Sequence, residues 1–131
     1  MWLYKGQPFT APSEKDYGFV YVITNKISGR RYIGKKLFWF KKTRQVKGKK
    51  KRYLAESDWM DYYGSNDELK ADIEKLGIDN FSREILYLCP SKGECAYLEA
   101  KTQFHLDVLR YPNLFYNSWI MVRTHRRHLT Q

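Results

Sequence analysis

The stretch Tyr17–Thr24 reads YGFVYVIT, and every residue in it except Gly18 is aromatic or β-branched. Such side chains suit a pleated, half-buried surface, so the segment predicts a strand. Asn25–Arg30 (NKISGR) supplies Asn25 and Gly29 as turn residues, and Arg31–Gly34 (RYIG) returns as a second short strand. Together they predict an antiparallel hairpin with a several-residue loop.

Ser65 and Glu68 have capping-box spacing ahead of NDELKADIEKLG, where Leu69, Ile73 and Leu76 share a helical face and Gly77 stands at the expected stop. Phe81–Leu88 (FSREILYL) alternates, with Phe81, Arg83, Ile85 and Tyr87 on one side, and predicts a third strand. A second capping box, Ser91 with Glu94, opens a helix expected to reach about Leu109, apolar on two stripes. Leu114–Val122 is either a last short strand or an ordered arm, and the conformation of Lys35–Tyr63 is left open. A chain of 131 residues supports one core. The fold class implied is α+β: a small sandwich with about three mainly antiparallel strands flanked by helices. The expected organisation is a lead at 1–16, one domain at 17–122 carrying a basic insertion at 35–56, and a basic tail at 123–131.

Charge is strongly segregated. Of 24 Lys and Arg residues, 13 lie between Lys26 and Tyr53, a stretch with no Asp or Glu. A solvated face mixes both signs, so this run implies a polyanionic partner, and the interleaved Tyr32, Phe38, Trp39, Phe40 and Tyr53 suit stacking on bases. Nucleic acid is the expected partner, with Lys36, Lys41, Lys47, Lys49, Lys50, Lys51 and Arg52 as the contacts. A membrane is not expected, because no apolar run approaches the roughly 18 residues a span requires. The first 15 residues lack a secretory apolar stretch, so the expected location is the cytoplasm. Cys89 and Cys95 are expected as free thiols, since neither they nor His125 and His128 have a standard zinc spacing.

The run Gly18-Phe19-Val20-Tyr21-Val22-Ile23-Thr24-Asn25, followed by Tyr32-Ile33-Gly34-Lys35, resembles the paired signature of the GIY-YIG nucleases, here spelled FVY and YIG. Tyr32 follows Tyr21 by eleven positions, a typical separation for the two signature tyrosines. Trp59, Tyr62-Tyr63-Gly64-Ser65, Gly77, Asn80-Phe81, Ile85-Leu86, Leu98-Glu99-Ala100 and Tyr116-Asn117 then follow in the order of the phage-encoded, homing-endonuclease-like branch. The resemblance implies an endonuclease that hydrolyses DNA phosphodiester bonds with one Mg²⁺ or Mn²⁺ per active site. It implies that Tyr21 and Tyr32 are the signature tyrosines, Glu99 the metal ligand, Asn117 a supporting residue, and Lys35 the lysine that some members keep after YIG. In one place the pattern departs. The family's catalytic arginine belongs about ten residues beyond the second tyrosine, where this chain has Lys42, with Arg44 close by.

The implied roles answer a chemical need. Phosphodiester hydrolysis requires a base for the attacking water, cations for the charge developing on phosphorus, and stabilisation of the leaving oxygen. A tyrosine, with a reference pKa of about 10, becomes a base when cations lower it; Lys35, Lys36 and a metal are the candidates, with Tyr21 expected as base and Tyr32 orienting water or phosphate. Each residue also has a plain alternative: the tyrosines as sheet aromatics, Glu99 as a helix-surface carboxylate, Asn117 as a turn former, Lys35 as one charge among many, His105 as a surface histidine. At the level of function the alternative is a nucleic-acid-binding repressor or inhibitor that keeps the fold without turnover, which the lysine at 42 favours. A homodimer or a partner protein is left open.

Overall fold

In the computed structural model, which describes residues 1–129, the order of elements is β1 (Trp2–Tyr4), β2 (Gln7–Pro8), β3 (Gly18–Asn25), β4 (Arg31–Leu37), β5 (Trp39–Val46), β6 (Lys49–Glu56), α1 (Asp67–Leu76), β7 (Phe81–Cys89) and α2 (Lys92–His105). Thr130 and Gln131 of the basic tail lie outside the described residues. The class is α+β, as expected. Strand β3 is buried along its length except at Thr24, and it pairs antiparallel with β4 on one side and β7 on the other. The predicted hairpin is therefore β3–β4. Asn25 shapes its loop by accepting from the amides of Ile27 and Ser28 at 3.0 and 3.2 Å.

The main sheet has five strands, in the order β2-β1-β7-β3-β4, where about three were expected. The extra two come from residues 1–16, read from sequence as a lead. β1 pairs parallel with β7, and Trp2, 2% exposed, sits edge-on to Phe19 and Tyr21 at centroid distances of 4.9 and 5.4 Å. Its indole Nε1 donates to the carbonyl of Trp59 at 2.8 Å, so the polar edge of a large buried ring is satisfied. Lys5 and Gly6, with φ of 51° and 79°, form the two-residue turn between β1 and β2. Positive φ at both central residues is what a type I′ hairpin turn demands.

The sheet divides the core. One face carries Phe19, Tyr21, Ile23, Phe81 and Ile85 with Phe38, Trp59 and Leu69; the other carries Val20, Val22, Ile33 and Cys89 with Cys95 and Val108 of the α2 region. Both cysteines are free and buried. The alternation expected for β7 breaks at a register shift opposite Val20 and Tyr21, where Tyr87 and Ile85 are the partners and Leu86 is skipped. The bulge reverses parity, so Tyr87 leaves the Phe81-Arg83-Ile85 side and is 45% exposed.

Both helices start near their predicted caps, with two corrections. Asn66, not Ser65, caps α1 by accepting from the Leu69 amide at 2.9 Å. Helix α2 is capped by Ser91, which accepts from the Glu94 amide at 3.1 Å, but it ends at His105, before the expected Leu109. Asp107 there adopts φ of 53°, outside helical space, which stops propagation. Residues 114–122 form an ordered arm: the Arg31 amide donates to Leu114 and the Tyr116 amide to Arg31, along the free edge of β4. The open segment after Lys35 resolves into the end of β4 and a separate two-stranded ribbon, β5–β6. Among the described residues, no helix is long and apolar enough to cross a membrane.

Candidate active site

The edge of β4 organises the site. Tyr21 and Gly34 are cross-strand partners on β3 and β4, and a Cβ at position 34 would overlap the Tyr21 hydroxyl. Glycine is required because another group occupies the space its side chain would take. The Tyr21 ring lies 6.2 Å from that of Tyr32 and 6.0 Å from that of Tyr62. Tyr21 is 1% exposed, and its phenol is pushed well above the ordinary range by burial, then by Tyr62. Tyr32 is half-buried and is pushed up chiefly by burial, with a hydrogen bond to Ser65 opposing. Of the lowering expected from Lys35 and Lys36 neither tyrosine shows a trace; burial acts on both in the other direction.

From the opposite face of the sheet, α2 brings Glu99 and Gln103, one turn apart and therefore on one side of the helix. The Glu99 carboxylate is 3.5 Å from the Lys35 ammonium, and its side chain is only 14% exposed. Burial raises its pKa, with Lys35 opposing. Gln103 donates to the Ile33 carbonyl at 3.0 Å, while its Oε1 is buried without a hydrogen-bond partner.

The arm closes the third side. Asn117 accepts from the Ile33 amide at 3.0 Å and donates to the Ile33 carbonyl at 2.8 Å, reproducing with one side chain the bonds of a neighbouring strand. Asn117 is thus a structural clamp on β4 that also lines the cleft. The cleft, about 210 Å³, is bounded by Tyr32, Lys35, Glu99, Gln103 and Asn117 together with Ser65, Asn66, Ser118, Trp119 and Met121.

Of the residues singled out from sequence, Tyr32, Lys35, Glu99 and Asn117 converge on this cleft, with Tyr21 packed behind Tyr32. Lys42 and Arg44 do not: both lie on β5, exposed, and the Arg44 guanidinium sits over the Tyr53 ring at 5.5 Å. Lys36 also lies outside this cleft. Its ammonium is 2.6 Å from Asp58 and 4.2 Å from the Tyr62 ring centre, and its side chain is 12% exposed, so it is engaged within the fold. Lys41, Lys47, Lys49, Lys50, Lys51 and Arg52 are exposed on the ribbon. His105 is exposed on α2. Gln103 and Trp119 line the cleft without having been singled out from sequence, and Tyr62, noted there only within the Tyr62-Tyr63-Gly64-Ser65 pattern, packs on Tyr21. Gln103 was within reach, because it is four residues beyond Glu99 on a predicted helix; nothing local marked Trp119 as a site residue.

A parted signature on adjacent strands, a glycine cleared for the first tyrosine, and a helix glutamate facing the second define a GIY-YIG domain. The chain belongs to that family: the model described as "Putative endonuclease segE, GIY-YIG domain" matches residues 2–120. It is similar to the "Putative endonuclease segD" of Enterobacteria phage T4, 37% identical over 81 residues, which is 62% of this chain and 29% of that protein. The chain therefore spans less than a third of that relative's length. No solved structure matches it.

Proposed function

We propose that the protein is a divalent-metal-dependent endonuclease that hydrolyses DNA phosphodiester bonds at the cleft beside β4. The observation carrying this reading is the convergence of the Tyr32 phenol, the Lys35 ammonium and the incompletely compensated Glu99 carboxylate in one polar cleft of a chain from this family. The donor set suits Mg²⁺ or Mn²⁺. Glu99 offers one carboxylate and Gln103 Oε1 a second, unpartnered oxygen, while the described residues contain no group of three or more His, Cys, Asp or Glu that could cage an ion. Hard cations that keep most of their waters and take substrate phosphate oxygens use such sparse sites. Bound there, the ion would supply charge stabilisation to the scissile phosphate and acidify a water.

The remaining chemistry falls to the chain. Lys35 donates to a phosphate oxygen as negative charge grows on it. Tyr32, the phenol that reaches the cleft, is held neutral by burial and orients the attacking water or the phosphate by hydrogen bonding. Tyr21, behind it, fixes the rings of Tyr32 and Tyr62. The exposed cations of β5–β6 hold the DNA backbone away from the reacting centre.

A second reading, a DNA-binding repressor or inhibitor without turnover, is favoured by one observation: among the described residues no arginine lines the cleft, since Lys42 and Arg44 stand on the ribbon. Supercoiled plasmid incubated with wild type or Glu99→Gln, in Mg²⁺ or in EDTA, separates the two. Relaxation by wild type alone, and with metal alone, supports the nuclease. A wild type that binds plasmid and leaves it supercoiled in Mg²⁺ and Mn²⁺ supports the second reading.

A further inference from the structure

We propose that the β5–β6 ribbon is a sequence-reading element that enters the major groove of duplex DNA, with Thr43, Gln45, Lys50 and Arg52 facing base edges. The proposal rests on DNA as the substrate and goes beyond the cleft, since it assigns a second contact with a different task.

The ribbon is built to stand away from the core. At its base Trp39 Nε1 donates to the Asp16 carbonyl at 3.1 Å, Trp59 Nε1 donates to Glu56 at 2.9 Å, and the Ser57 hydroxyl donates to the Leu37 carbonyl at 2.6 Å. Beyond that anchor, both faces are open: from Lys41 to Leu54 every residue is exposed except Val46. Lys47 and Gly48, with φ of 50° and 77°, close the tip as a type I′ turn, which suits the twist of a regular hairpin. Eight paired residues per strand give a reach of about 27 Å.

Its charge is costly in isolation. Eight Lys and Arg lie between Lys41 and Arg52, none of them in an ion pair among the described residues. The register sets Arg44 opposite Lys51. Like charges directly opposed destabilise a ladder, and a two-stranded hairpin is marginal to begin with. A polyanion removes that penalty.

The residue types choose which polyanion and which surface. Single-strand binders stack bases on aromatic platforms, but the ribbon's aromatics, Trp39, Phe40 and Tyr53, all lie in its basal half. The distal half holds Thr, Arg, Gln and Lys, the side chains that read base edges: Arg and Lys to guanine, Gln to adenine, Thr to the thymine methyl. Two strands about 4.8 Å apart fit a major groove about 12 Å wide and not a minor groove about 6 Å wide. Cross-strand pairing puts Thr43 with Arg52 and Gln45 with Lys50 on one face, Arg44 with Lys51 and Val46 with Lys49 on the other. Arg44 is drawn over Tyr53 on the second face, which leaves the first for bases and Arg44, Lys49 and Lys51 for phosphates.

The test measures binding in EDTA, so cleavage is not required. Wild type, Thr43→Ala/Gln45→Ala and Arg44→Ala/Lys49→Ala/Lys51→Ala are equilibrated with a randomised library, offered both as duplex and as single strands, and the bound fraction is sequenced. Dimethyl sulfate interference on an enriched duplex then reports guanine N7 in the major groove and adenine N3 in the minor groove. The expected result is a motif enriched by wild type and blocked by N7 methylation. The uncharged double variant should lose about tenfold or more of the enrichment with an unchanged salt slope. The triple variant should weaken on all sequences with a flatter slope. Blockage confined to adenine N3, an unaltered motif in Thr43→Ala/Gln45→Ala, or preference for single strands would overturn the proposal. Wild type that binds no DNA would overturn it together with the nuclease reading, whereas the expected binding results in a protein that never cleaves would sink the nuclease reading alone.

Discussion

The Lys35 ammonium stands 3.5 Å from Oε1 of Glu99, joining β4 to α2 across the cleft. One lysine does not offset the burial that raises the Glu99 pKa. The sign follows: a raised carboxyl contributes stability below its unfolded pKa, about 4.3, and loses it as pH rises through the folded value. Glu99→Gln is therefore expected to melt at the same temperature as wild type near pH 4, and at an equal or higher temperature near pH 7. Its metal-dependent cleavage should fall to background while DNA binding persists. Melting curves at the two pH values, beside plasmid relaxation, check both halves; a Gln variant that cuts normally rejects the assignment.

The two tyrosines should separate. Tyr32 faces the cleft, so Tyr32→Phe is expected to lower cleavage about 100-fold or more with little change in melting temperature. Tyr21 is sealed in the core, and its raised phenol pKa makes stability fall as pH climbs above about 10. Tyr21→Phe should reduce that alkaline loss and cost less activity than Tyr32→Phe. Single-turnover rates and urea melts from pH 8 to 11 give the comparison, and a larger rate loss at Tyr21 contradicts it.

Asn117 makes two hydrogen bonds to the Ile33 backbone from within the protein. Replacing it by Ala strands a buried amide hydrogen, which costs about 1–3 kcal/mol. The expected outcome is a lower urea midpoint, with activity at low temperature recovered in proportion to the folded fraction. Full stability with activity abolished would instead give Asn117 a direct chemical role.

Trp2 tests whether the first residues belong to the core. Because its indole is packed against Phe19 and Tyr21 and hydrogen-bonded to Trp59, Trp2→Ala should destabilise by about 3–5 kcal/mol. A chain lacking residues 1–9 should fare no better. Denaturant melts decide, and an unchanged midpoint would make the N-terminal strands ornamental.

What the sequence by itself determined is local. Tyr17–Thr24 is a turn-bounded run of aromatic and β-branched residues, Arg31–Gly34 answers it across the turn, and the helix of Leu69, Ile73 and Leu76 carries a 3.6 period, so each is set by neighbours a few residues away. The charge division is likewise a property of composition along the chain. The tertiary structure decided where those pieces meet. Lys35 and Lys36 are adjacent in a strand, so their side chains leave on opposite faces: one reaches Glu99, the other Asp58 and Tyr62. The bulge at Leu86 reverses the parity of β7, and no count of alternation before it could have revealed that. Lys5-Gly6 and Lys47-Gly48 make turns usually marked by Asn-Gly, and this concealed two hairpins. Above all, the ribbon carried Lys42 and Arg44 out of the site although Lys42 stands at the expected distance along the chain and Arg44 close by. Spacing in sequence fixes position only within one continuous element, and here the β5–β6 excursion comes between the second tyrosine and the rest of the cleft.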